Sequence, residues 1–270
     1  MSTQFELEWL GGPAASLFRR RRPGVEDLPW GSIDLQSFTP AALTEARKVW
    51  TNGTFTEYAS GAAFAAIATT FFECGAPLDL CAAAADFSVD ELSHAEMAAR
   101  LVMELGGSVP YHVNLAKVSP YLRPEVSPLM RAAELVIKTS SVGEALSVPI
   151  LASSTRETGV PLVREILRRL THDEGPHSAL SDWFFEWANE RLTPAERERL
   201  AVIALDAVEV YAPLWKQAPC EACTPVPALG GLLYESYRST MINAVRTRIA
   251  RPLSRHEIYL EGERLEGLLA

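Results

Sequence analysis

Two copies of one short pattern constrain this chain more than anything else in it. Glu91 and His94, in Val89-Asp-Glu-Leu-Ser-His-Ala95, stand three residues apart. So do Glu174 and His177, in Leu170-Thr-His-Asp-Glu-Gly-Pro-His-Ser178. On a helix such a pair shares one face and can reach for the same ion. A single Glu-x-x-His would carry little weight. Here each copy is preceded by a lone Glu in an otherwise apolar helix: Glu57 lies 34 positions before Glu91, and Glu144 lies 30 before Glu174. The difference of four is about one helical turn, which leaves Glu57 on a compatible face.

The rest of the pattern predicts an all-α chain. Residues 1–38 read as an N-terminal arm: the basic run Arg19 to Arg22 is followed by Pro23, Gly24 and Pro29, with Trp30 as an anchor on the body. In an acidic protein such a run is expected to be a solvated tail. Thr39-Pro40 reads as a cap and first helical position, opening a short helix that stops at Asn52-Gly53. A first long helix carries Glu57 to the turn at Gly75 and Pro77, and a second, over 78–105, ends at Gly106-Gly107. A proline-rich loop of about twenty residues suits a crossover between two helical hairpins. A third helix runs from Ser127-Pro128 to 158 with a kink expected at Pro149, and a fourth over 161–191 contains Pro176 between its two candidate ligands. Residues 193–270 predict additional C-terminal helices over 193–216 and 229–250, and Ser254 is expected to cap a last short one. No sustained period-two alternation predicts a strand.

The heights of the acids agree with these turns. Glu144 and Glu174 each lie 15 positions from Gly159, so an antiparallel pair sets them level. Glu57 and Glu91 lie 19 and 15 positions from Ala76. At about 1.5 Å per residue that mismatch is roughly 6 Å, which tilt or a wider turn absorbs. Glu73 sits at the turn itself, and Glu96 and Glu134 have no partner at matching height.

Composition narrows the classes of function. Lys and Arg number 25 against 34 Asp and Glu, a formal charge of -9. Nucleic acid would want a basic face, so no nucleic-acid partner is expected. No run of about 18 uncharged apolar residues predicts a membrane span, and the opening residues lack the pattern of a signal peptide. A cytoplasmic protein is the expectation. With only four cysteines, Cys220-x-x-Cys223 reads as a loop with incidental or redox-sensitive thiols, zinc being the alternative.

Four carboxylates and two imidazoles suit a pair of iron or manganese ions, because carboxylates bridge metals and each His leaves positions open for dioxygen. Without metal, burying such a set is costly. Across residues 54–191 the chain resembles the ferritin-like diiron carboxylate superfamily, whose bundles take a Glu from two helices and Glu-x-x-His from two others. That resemblance implies a ferritin-like four-helix bundle over 39–192. It further implies metal ligands Glu57, Glu91, His94, Glu144, Glu174 and His177, with Glu91 and Glu174 as the shared, catalytic carboxylates.

Among members of the superfamily, the arylamine N-oxygenases are similar in size and ligand spacing, but their third His falls here on Leu170, and His172 points elsewhere on a regular helix. The resemblance implies a dioxygen-dependent diiron oxidase or oxygenase acting on a small organic substrate, with an external electron donor. The protein would be a monomer or small homo-oligomer; an iron store is the alternative. Ser60, Gly61, Ser140, Ser141, Ser147 and Ser181 are candidates to make room for substrate, or else merely let helices approach.

Overall fold

The computed structural model describes residues 2–120, 122–217 and 225–270. Helix dominates, as expected of an all-α chain. A short α1 (Gly12–Arg21) precedes the long α2 (Pro40–Cys74) and α3 (Leu78–Glu104). One further helix, Pro128–Glu157, is built of α4 (Pro128–Val136), a π-helical stretch (Ile137–Glu144) and α5 (Ala145–Glu157). Next comes α6 (Pro161–Ala188). The C-terminal part holds α7 (Pro194–Tyr211), α8 (Pro213–Lys216), α9 (Tyr234–Ala244), α10 (Arg251–Arg255) and α11 (Glu263–Leu269). The strand-free expectation fails in one place: β1 (Thr3–Gln4) pairs antiparallel with β2 (His112–Val113). Two residues per strand are too few to leave an alternating pattern in a sequence.

Local chemistry explains several helix ends. The Thr39 side chain accepts from the Ala42 N–H at 3.2 Å, with Pro40 at the first position. Gly75, at φ 67°, adopts the left-handed conformation that closes α2, and the Ala76 N–H reaches the Phe71 carbonyl at 2.9 Å. The Thr193–Glu196 capping box forms as predicted. Ser254, however, lies within α10 rather than capping the last helix, which begins after Gly262.

The predicted break at Asn52-Gly53 is also absent, because α2 runs through it as one helix of 35 residues. A glycine in a helix costs about 1 kcal/mol against Ala. Nearby, Trp50 is buried and Trp50 Nε1 donates to the Leu229 carbonyl at 2.8 Å. Burial of one such side chain, at about 1.5–3 kcal/mol, outweighs the propensity penalty.

Packing positions the site. α2 lies along α3, Pro128–Glu157 lies along α6, and α2–α4 and α3–α6 contacts join the two pairs. Two apolar clusters result. One gathers Phe64, Phe71, Phe184 and Phe185, the other Trp50, Met97, Leu101 and Ile166. Residues 57, 91, 94, 174 and 177 fall between these clusters along their helices, so polar groups interrupt the core there. Pro128–Glu157 is, against expectation, long and apolar enough to cross a membrane, and more than half of its most apolar stretch is buried against the other helices.

The arm is docked rather than solvated throughout. Arg22 is buried and lies 2.5 Å from Glu96, Arg21 pairs with Asp86 at 3.0 Å, and the Arg100 guanidinium stacks 4.0 Å over Trp30. Trp30 is thus the anchor that was expected.

Candidate metal centre

The four long helical segments each deliver acids to one place. Glu57 comes from α2, Glu91 and His94 from consecutive turns of α3, and Glu174 and His177 from α6. Glu144 is the last residue of the π-helical stretch. A π turn carries an extra residue and so changes which face the following side chain presents; such turns recur at functional sites. Pro149 was expected to kink this helix near the acid. Pro149 lies inside α5, five residues past the end of the π-helical stretch, and the helix runs on through it to Glu157. Glu91, His94, Glu174 and His177 are at most 1% exposed.

Two carboxylates tie the two motifs together. Glu91 points Oε2 at His94 Nδ1 (3.8 Å) and Oε1 at His177 Nδ1 (2.9 Å). Glu174 points Oε1 at His94 Nδ1 (3.3 Å) and Oε2 at His177 Nδ1 (3.0 Å). Each therefore places one oxygen beside each imidazole. Glu57 Oε2 adds a third acid to His94, at 3.5 Å. Glu57, Glu91, His94 and Glu174 offer ligand atoms all within 4.8 Å of one another and can hold a metal ion. Glu144 and His177 lie outside that compact four, beside Glu174.

Asp90 and Asp173 were not singled out from the sequence. Asp173 Oδ2 lies 3.4 Å from His94 Nε2, and Asp90 Oδ2 lies 3.5 Å from His177 Nε2. Each aspartate precedes the Glu of its own motif and serves the imidazole of the other. The sequence does carry the signal, since both copies read Asp-Glu-x-x-His. A carboxylate on the far nitrogen fixes ring orientation and leaves Nδ1 facing the other acids, the arrangement that tunes histidine ligands.

The electrostatics are those of a crowded acid cluster. Burial pushes Glu57 up to about 8, helped by Glu91 and Glu174 and opposed by His94. Burial, with the charges of Glu174 and Glu91, holds Glu144 well above the usual carboxylate range. Burial also opposes charge on His177, but Asp90, Glu174 and Glu91 outweigh it and push its pKa up to about 11. His94 is likewise raised against its burial by Asp173, Glu174, Glu57 and Glu91. Glu174 stays below its ordinary value despite burial, because both imidazoles contact it. Protons thus stand where cations would otherwise balance the acids.

The donors also fit a metal on geometric grounds. Both Glu91 oxygens and His94 Nδ1 are buried without a hydrogen-bond partner among the described residues; the 2.9 Å approach of Glu91 to His177 is out of line for a hydrogen bond. Orphaned polar atoms of this kind are costly unless something fills the space between them. Atoms of a carboxylate and an imidazole converging on one point are the donor set of iron, manganese or zinc.

The small residues divide into two groups. Ser140 Oγ donates to the His177 carbonyl and accepts from the Ser181 N–H at 3.1 Å. Ser141 and Ser181 share a hydroxyl bond of 2.5 Å. A Cβ on Gly61 would meet the Ser88 carbonyl at 3.4 Å, and Ser88 Oγ donates to the Gly61 carbonyl at 2.8 Å. These four hold helices close. Ser60 and Ser147, in contrast, line a cavity of roughly 170 Å³ together with Glu57, Glu144 and Glu174.

The other acids have separate partners: Glu73 pairs with Arg131, Glu96 with Arg22, and Glu134 with Arg123 and Arg199. His172 is 82% exposed, paired with Asp173, and Leu170 is buried, so no third imidazole turns inward on α6. Cys220 and Cys223 lie outside the described residues. Comparisons with protein-family models, with curated proteins and with solved structures find no match.

Proposed function

We propose that the chain is a ferritin-like diiron protein, with α2, α3, Pro128–Glu157 and α6 as the four helices of the bundle, and that it is an oxidase or oxygenase of a small organic substrate. One observation carries the reading: Glu91 and Glu174 each aim one oxygen at each of two buried imidazoles. A structural ion pair needs one carboxylate per histidine; a pair of shared carboxylates suits two cations side by side. Glu57 with His94 would complete one ion's ligands, and Glu144 with His177 the other's. Ferrous ions held by these residues would supply the reducing equivalents for dioxygen chemistry beside the cavity. Asp90 and Asp173 orient the imidazoles, and the cavity above Glu57, Glu144 and Glu174 admits the substrate.

Oxidase and store are separated by counting. Supplied with excess ferrous iron and air, the protein should saturate near two ions per chain and remain a monomer or small oligomer by light scattering. Continued uptake of tens of ions per chain into a large assembly would overturn the enzyme reading. Iron is expected over manganese under aerobic purification, with metal analysis as the check.

A further inference from the structure

The cavity beside the acids is closed from the far side by the C-terminal helices, and their contribution is specific. Tyr211 from the end of α7 and Tyr237 from α9 both line it. Tyr211 Oη lies 3.5 Å from where a Cβ on Gly143 would stand, so it abuts the π-helical stretch one residue before Glu144. Neither tyrosine hydroxyl has a hydrogen-bond partner among the described residues. Both residues are part-buried, and with no such partner their phenol O–H groups are free to donate to a guest in the cavity. Leu146, Ile150, Leu214 and Met241 supply an apolar part of the wall, and Thr56, Ser60 and Ser147 add neutral hydroxyls. No Lys, Arg or His lines the cavity.

These features weigh against an anion. A carboxylate or sulfonate entering here would lose water beside Glu57, Glu144 and Glu174 with no counter-charge to meet it. Two divalent ions would cancel the four ligand carboxylates and add no net positive charge. An uncharged guest loses much less water, and it can accept from the phenols while its apolar part packs on Leu146 and Ile150.

We propose that Tyr211 and Tyr237 are the substrate-positioning residues of this site, and that the substrate is a neutral small molecule with a hydrogen-bond acceptor on an apolar or aromatic body. The inference deepens the diiron reading and rests on it for the reaction, but not for binding.

The test uses an isosteric pair of probes, benzenesulfonamide (neutral at pH 7) and benzenesulfonate (an anion), titrated into the full chain by calorimetry. The titrations are repeated with Tyr211→Phe and Tyr237→Phe, and the metal content of every sample is measured. Each Phe variant should bind the sulfonamide about three- to tenfold more weakly, the loss of one ordinary hydrogen bond. The sulfonate should bind at least tenfold more weakly than the sulfonamide. Unchanged thermal melting shows that the variants fold. Sulfonate binding as tight as sulfonamide, or binding indifferent to both Phe variants, or no saturable sulfonamide binding, overturns the proposal. Normal metal with tyrosine-independent binding overturns this proposal and leaves the diiron reading standing. Tyrosine-dependent binding without metal supports the pocket and overturns the diiron reading.

Discussion

Glu57→Gln should make the metal-free protein more stable, which is the opposite of what removing a structural ion pair would do. Glu57 sits at about 8 in the fold, against 4.5 as its ordinary value. A carboxyl raised in the folded state makes stability greatest below the unfolded pKa; stability then falls by about 1.4 kcal/mol per pH unit until the folded pKa is reached. The window is therefore pH 4.5 to about 8. At pH 7 about 2.5 units of it have been crossed, a penalty of roughly 3 kcal/mol. Glutamine has the same size and carries no such penalty.

In chelator, the variant should exceed the parent by about 2–3 kcal/mol at pH 7, and the gap should close near pH 5. Under ferrous iron without oxygen the order should reverse. The parent gains about 2.7 kcal/mol at a hundredfold excess over Kd, while the variant has lost a ligand. Urea denaturation at both pH values, with chelator and with iron, reads all four arms. A variant less stable than the parent in chelator at pH 7, by the same margin with iron present, would refute the reasoning.

Other outcomes follow from the same geometry. Asp90→Asn and Asp173→Asn should each lower metal affinity about 10- to 100-fold while sparing the helical circular dichroism; unchanged affinity in both would remove their orienting role. Ser140→Ala strips the partner of a buried amide at Ser181 and of the His177 carbonyl, so it should cost about 1–3 kcal/mol in denaturation and leave the metal count intact. Asp182 is held below its ordinary value mainly by His256, with burial opposing. Its contribution is present above the unfolded pKa and lost as pH falls through the lowered folded one, so Asp182→Asn should lower stability at neutral pH and by progressively less as the pH drops below 3.8. Cys220→Ser with Cys223→Ser should leave the metal content unchanged by elemental analysis.

The six metal-ligand candidates were legible because helical period and a doubled motif are local facts. Glu57, Glu91, His94 and Glu174 converge as the spacing required, with Glu144 and His177 beside them. Asp90 and Asp173 were missed because each serves the histidine of the opposite helix, and no spacing within one helix reveals that pairing. The continuity of α2 through Gly53 was illegible for an energetic reason, since tertiary burial at Trp50 outweighs one residue's propensity. The π-helical stretch at Ile137–Glu144 was not foreseen, because a proline states where a hydrogen bond is lost and no residue type marks a π turn. Ser140, Ser141 and Ser181 could be read either way until the facing helix was known. The docking of Arg22 on Glu96 depends on a contact between residues 74 positions apart, which the basic run alone could not disclose.

The central claim is that Glu91 and Glu174 are shared between two bound cations. Anaerobic titration with ferrous iron, followed by elemental analysis after desalting, tests it most directly when run on the parent, Glu91→Ala and Glu174→Ala. The account predicts saturation near two ions per chain in the parent and less than one in either variant, because each shared carboxylate serves both positions. Two ions retained in both variants, or no iron retained by the parent, would contradict it.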